Sequence, residues 1–128
     1  MNSAKGSRTS VKPRKQKLYA ASAPLHSARK LVSGHLSKEL RKKYGVRAVK
    51  LRKGDKVKIM RGDHKGKLGT IEEVSIKKRL IYVTGIELVR KDGTKSKVPL
   101  QPSKLQVTEL ELSDKYRAER FKTNVKTS

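Results

Sequence analysis

The residues best placed to do chemistry lie between Arg61 and Lys67, where Arg61, His64, Lys65 and Lys67 alternate with Gly62 and Gly66. Guanidinium, imidazole and ammonium groups separated by glycines put hydrogen-bond donors on a backbone free to turn tightly. That combination suits phosphate oxygens and base edges. It is the chemistry of binding. His26, His35 and His64 are far apart in sequence and have no ligand-like companions, there is no cysteine, and the carboxylates do not cluster, so spacing offers neither a metal site nor a cofactor site. No nucleophile, base and orienting group can be assembled, and Glu72-Glu73 reads as a solvated strand edge. The chain is not expected to be an enzyme. His64 is the one histidine with a candidate role, hydrogen bonding to or stacking on a base.

The loop needs two strands to hold it. Before it, Gly54-Asp55 signals a turn, and Val57 and Ile59 then alternate with Lys56 and Lys58, the two-residue period of a strand with one face buried. After it, Gly69 and Ile71 begin a second strand. Ile71 and Val74 are three apart instead of two, which predicts a bulge near Glu72 and Glu73.

Charge sets the class of partner. The chain of 128 residues carries 34 Lys and Arg against 11 Asp and Glu, a formal net charge of +23. The excess is concentrated in residues 1–54, which hold 16 basic side chains and the single acid Glu39. Such a charge repels itself in a free protein and is neutralised by a polyanion, whose condensed counterions it releases. Nucleic acid fits. An anionic membrane surface fits less well, because the basic N-terminal segment lacks the apolar stripe of an interfacial helix. No apolar run approaches a membrane span, and Met1 to Lys17 has no signal-peptide apolar region, so a cytoplasmic location is expected. With no Trp and only Phe121 among phenylalanines, the core must be small. A unit of about sixty residues buries only about 60% of its unfolded surface, so outside support is expected.

Taken in order, residues 1–35 read as a basic extended arm carrying Lys12, Arg14, Lys15, Lys17, Arg29 and Lys30, with Lys5 and Arg8 nearer the start. Pro24 and Gly34 are expected to break any helix between Leu18 and His35. The arm is a candidate to fold onto RNA, although Lys12 to Lys17 would also serve as a nuclear address. Residues 36–49 form a short helix and lead-in. Ser37 is the predicted N-cap, Glu39 lies in the first turn, Arg41, Lys42 and Lys43 lie in the last, and Gly45 is the stop. Arg47 follows. Residues 50–112, opening with Arg52 and Lys53, read as a small β unit. They include a basic hairpin at Lys77, Lys78 and Arg79, a strand Leu80 to Val83, strands Ile86 to Arg90 and Lys97 to Leu100 joined by an Asp92-Gly93 turn, and a strand Leu105 to Thr108 after Lys104. Residues 113–128 read as a helix, Asp114 to Phe121 capped by Ser113, and a loose tail.

The loop and its flanks resemble the KOW motif: Gly62, Lys65, Gly66, Gly69 and Ile71 fall at its spacing after a Gly-Asp turn. Together with Leu36-Ser37-Lys38-Glu39-Leu40 through Gly45, and with Pro102-Ser103-Lys104 before a strand, this order is similar to that of the universal large-subunit ribosomal protein twenty-four family. Its archaeal and eukaryotic branch is the better match. Gly34-His35 and Gln101 stand where members commonly have Ala-Pro and His. The resemblance implies a mostly β fold, a small SH3-like barrel with a basic N-terminal extension and one short helix on either side. It implies a structural role on large-subunit ribosomal RNA near the rim of the polypeptide exit tunnel. Neighbouring ribosomal proteins are implied partners, and factors docking at the tunnel exit are candidates. The rival reading is a KOW-type transcription elongation factor, but residues 1–50 are too basic and irregular to be the α/β domain such a factor carries.

Overall fold

A computed structural model describes residues 10–127. Four α-helices and eight strands follow in the order α1 (Pro13–Ser22), α2 (Leu25–Leu31), β1 (Ser33–Leu36), α3 (Lys38–Tyr44), β2 (Ala48–Lys50), β3 (Lys56–Ile59), β4 (Leu68–Ser75), β5 (Leu80–Val83), β6 (Glu87–Val89), β7 (Lys95–Lys97), β8 (Leu105–Glu109) and α4 (Lys115–Thr127). Six strands form one mixed sheet in the order β2-β1-β8-β3-β4-β5, while β6 and β7 form a separate hairpin. Only β1 and β8 run parallel; the other pairs are antiparallel. The architecture is compatible with a small barrel-like domain.

Alternation builds the centre. On β3 the lysines face out while Val57 and Ile59 are fully buried, and on β8 Leu105 and Val107 are buried beside them. These four join Leu36, Leu51, Ile71, Ile81, Val83 and Leu100 in a single core. Each such burial is worth ~1.5–3 kcal/mol. Gly69 sits where β4 passes close against the end of β5. A Cβ there would lie 2.4 Å from Val83 Cγ1 and 2.8 Å from the Thr84 carbonyl oxygen. The bulge is where the apolar spacing puts it, with the register shifting between Ile71↔Val83 and Glu73↔Tyr82.

The helix α3 has the expected limits. The Ser37 hydroxyl accepts from the Leu40 N–H at 3.4 Å, and Gly45 closes the helix in the left-handed region at φ 67°, donating its N–H to Arg41 O. Leu36 and Leu40 anchor it on the core.

Four expectations are corrected. The described part of the arm is not extended: α1 and α2 occupy most of it, so two helices precede the first strand of the sheet and α3 lies between its strands β1 and β2. Pro13 is preorganised for a first helical turn, the Lys, Gln, Leu and Ala residues behind it are good helix formers, and Pro24 falls between the two helices. Gly34 breaks no helix; it lies in β1, which pairs with β2 and β8, and a Cβ on it would meet Leu51 Cδ2 at 2.9 Å. The hairpin pairs Glu87–Val89 with Lys95–Lys97, not residues 97–100. Thr94 donates from its N–H and hydroxyl to Asp92, while Leu100 leaves to exchange two backbone hydrogen bonds with Ile81. At the end of the chain Asp114, not Ser113, accepts from the first turn of α4, and the helix runs on to Thr127 in place of a tail. The expectations for Lys5 and Arg8 lie outside the described residues.

Candidate nucleic-acid interface

The glycine loop closes through its own backbone. Gly66 N donates to Ile59 O at 2.7 Å, Ile59 N to Lys67 O at 2.9 Å, and Lys65 N to Gly62 O at 3.2 Å, so the β3–β4 ladder continues into the turn. Gly62 and Gly66 adopt φ of 96° and 88°, which side-chain-bearing residues avoid, and open space lies where a Cβ would be. The turn holds Arg61, Lys65 and Lys67 in solvent, with Lys67 Nζ 3.3 Å from Nδ1 of the half-buried His64. Lys104 is drawn to the same end of the sheet, where its carbonyl accepts from Met60 N at 2.8 Å.

Arg41 from α3 and Arg47 from the α3–β2 connection join Arg61 around His35 on β1. Partial burial of the imidazole, followed by the charges of Arg41, Arg47 and Arg61, holds its pKa below the usual 6.5. Cations from three segments therefore converge with no carboxylate among them, and Nε of Arg41 is buried without a hydrogen-bond partner. His35 lies opposite Gln106, which lies opposite Lys58, so a polar row crosses three strands beside the arginines. Sequence reasoning left out His35, Lys58 and Gln106. Their outward phase on the strands was the available signal, but it needed the strand order to become a surface.

The remaining predicted residues stand elsewhere. Lys77, Lys78 and the half-buried Arg79, whose φ is 56°, occupy the β4–β5 turn. The length of β4, seven steps at ~3.3 Å, separates that turn from the glycine loop. Arg29 and Arg52 share a small cleft with Ile76 near that end. Lys53 is exposed beside the Gly54 turn, and Lys12, Arg14, Lys15 and Lys17 are exposed on or next to α1. Lys30 is exposed on α2, and Lys42 and Lys43 on α3, the Lys43 ammonium 5.3 Å from the Tyr44 ring centre.

At the opposite pole of the charge pattern lies a group that sequence reasoning took only as part of a turn. Asp55 is fully buried and accepts four hydrogen bonds: from Arg52 N at 3.1 Å, Glu111 N at 2.9 Å, and the two terminal nitrogens of Arg117 at 2.6 and 2.8 Å. Arg117, itself buried, also donates to the carbonyls of Glu111 and Lys50 at 2.8 and 3.1 Å. This clasp fixes the start of α4 against β2 and the Gly54-Asp55 turn, while Phe121 packs its ring 5.1 Å from that of Tyr44 on α3. Among the described residues no group of His, Asp and Glu is arranged to hold a metal, and no helix is long and apolar enough to cross a membrane.

Several acids are engaged by cations of the same chain: the buried Asp55 by Arg117 and, at the surface, Asp114 by Arg52, Glu72 by Lys97 and Glu109 by Lys56. The glycine loop, the arginines around His35 and the first helix keep their cations. The result is a small β domain with a cationic end and basic helices ahead of it. Comparison with known proteins identifies its family. The chain belongs to the family described as "Ribosomal proteins L26 eukaryotic, L24P archaeal", which matches residues 10–124. It is 45% identical over 108 residues to the large ribosomal subunit protein uL24 of Korarchaeum cryptofilum (strain OPF8), covering 84% of this chain and 82% of the relative. It is 43% identical over 109 residues to the protein of the same name from Pyrobaculum islandicum (strain DSM 4184 / JCM 9189 / GEO3), covering 85% and 89%. Membership of this family makes it a structural ribosomal protein and not an enzyme.

Proposed function

We propose that the chain is a structural constituent of the large ribosomal subunit that holds large-subunit RNA through a KOW-type SH3-like barrel. The contacts run through the glycine loop, the Arg41, Arg47 and Arg61 cluster, Lys104 and the basic N-terminal segment. The observation that carries this reading is the convergence of three arginines from separate segments around His35 with no acid to neutralise them. Phosphodiesters are the ligand that turns such repulsion into attraction. The domain division, with an arm to residue 35, a lead-in to 49, a barrel from 50 to 112 and a C-terminal helix, belongs to the same proposal. So does a position at the rim of the exit tunnel, next to other ribosomal proteins and factors docking there, which rests on the family resemblance.

The first helix fits this role. Helix α1 buries no residue and has no side-chain cap. An isolated helix of this length is marginal in water, so it gains its stability on RNA.

The test is binding of the full chain to purified large-subunit RNA across a salt series. Lys65→Glu combined with Lys67→Glu should weaken binding about tenfold or more at physiological salt. Deleting residues 1–17, which removes six positive side chains, should flatten the slope of log affinity against log salt by a few units, each phosphate contributing about 0.7 to 0.9. The preference for ribosomal over bulk RNA should persist, because shape is read by the barrel loops. Unchanged affinity in the charge-reversed protein would remove the loop from the interface.

A further inference from the structure

Among the described aromatic residues only Tyr116 is mostly exposed, at 82%. It is the second residue of α4 and stands on the edge of a cleft of about 500 Å³ between β2 and that helix. None of the glycine-loop residues lines this cleft. Its apolar side is made by Val46, Val49 and Phe121, and its cationic side by Lys30, Lys50 and Arg120. No Asp or Glu lines it: Glu119, next to Arg120 along the chain, is not among its lining residues, and Asp114 is occupied by Arg52. The guanidinium of Arg117 is consumed by Asp55, which fixes the helix turn that carries Tyr116.

We propose that this cleft is a second RNA subsite that takes one unpaired nucleotide, its base stacked on the Tyr116 ring and its phosphates on Lys30, Lys50 and Arg120. The proposal rests on the RNA-binding reading above but concerns residues outside the loop and the arginine cluster. An exposed aromatic face beside cations, over an apolar wall, is the recurrent means of gripping single-stranded nucleic acid. Charge complementarity selects the occupant: an aliphatic partner would desolvate three cations without pairing them, whereas a nucleotide supplies both an anion and a flat π surface. A cleft of this size has room for a small ligand and excludes a duplex. Because the clasp next door immobilises the ring's helix, little ordering is left for binding to offset.

The experiment compares the full chain with Tyr116→Ala and Tyr116→Phe, by fluorescence anisotropy, on a ten-nucleotide oligouridylate and a blunt RNA duplex of the same length at one salt concentration. Tyr116→Ala should lose about tenfold on the single strand and stay within about twofold on the duplex, while Tyr116→Phe keeps the wild-type affinity for both. Because the chain has no Trp, Tyr116→Trp provides a single reporter whose emission should be quenched by the oligouridylate and not by the duplex. Equal losses on the two RNAs, no loss on either, or unquenched emission while the oligouridylate binds would overturn the subsite. If wild type binds large-subunit RNA and Tyr116→Ala binds the oligouridylate equally well, only the subsite falls. If wild type binds no large-subunit RNA, the broader reading falls with it.

Discussion

Gly54-Asp55 and Gly62-Asp63 are the same dipeptide on either side of strand β3, both in basic surroundings, and the fold uses them for opposite purposes. Both glycines have φ near 100°, at 98° and 96°. At the first, Glu111 crowds the glycine, with its Cγ 3.2 Å from a notional Cβ, and the aspartate is fully buried under four donors. At the second, nothing lies within 4 Å of that Cβ position and the aspartate is exposed. One turn is a joint, closed by an arginine 62 residues away. The other is an open hand. A turn's chemistry is therefore decided less by its own residues than by whether another segment arrives to satisfy them.

The largest expected effect comes from breaking the joint. Asp55→Ala leaves the buried Arg117 without its carboxylate and should cost about 3–5 kcal/mol, since removing one partner strands an uncompensated charge. The matched Asp63→Ala should stay within about 0.5 kcal/mol. Urea denaturation of the two variants measures the difference, and equal losses would mean that the two turns are not distinct.

Close approach gives the next effect. Gly69→Ala must displace both Val83 and the Thr84 carbonyl, an overpacking cost of about 1–3 kcal/mol. Gly66→Ala meets no atoms but holds a left-handed backbone, a cost of about 1–2 kcal/mol. A larger loss for Gly66→Ala than for Gly69→Ala, read as melting temperature, would reverse this ranking of packing over backbone strain.

The smallest effect tests the open end. The pKa of His35 lies below its unfolded value, so the unfolded chain binds this proton first as pH falls. The stability due to neutral His35 is thus fully present above about pH 6.5 and declines as pH drops toward the lower folded value. Wild type should lose more stability than His35→Gln between pH 7.5 and 5.5. In a proton NMR titration, RNA phosphates against Arg41, Arg47 and Arg61 should raise the His35 pKa relative to the free protein. An identical pH response in the two proteins would show that neither burial nor the arginine field lowers the His35 pKa in the folded protein.

Local rules carried far in this chain. The phases of Lys56-Val57-Lys58-Ile59, the extra residue at Glu72-Glu73, the Ser37 and Gly45 caps and the turning glycines 62 and 66 each depend on residues within a few positions, where period and backbone sterics act directly. The candidate cations were legible for the same reason: charge on so acid-poor a segment has little else to do. Three things needed the tertiary structure. The arm is helical on both sides of Pro24, which stands at the N-cap of α2 and not in a helix interior, and Gly34 belongs to a strand only because β1 pairs with β2 and β8. The cationic end exists only because β8 inserts between β1 and β3, bringing His35 into line with Gln106 and Lys58 and within the field of Arg41, Arg47 and Arg61. The pairing of Asp55 with Arg117 joins residues whose sequence neighbours give no hint of each other. A carboxylate carries no mark of whether it will be solvated or buried; that is decided when the chain returns to cover it with donors.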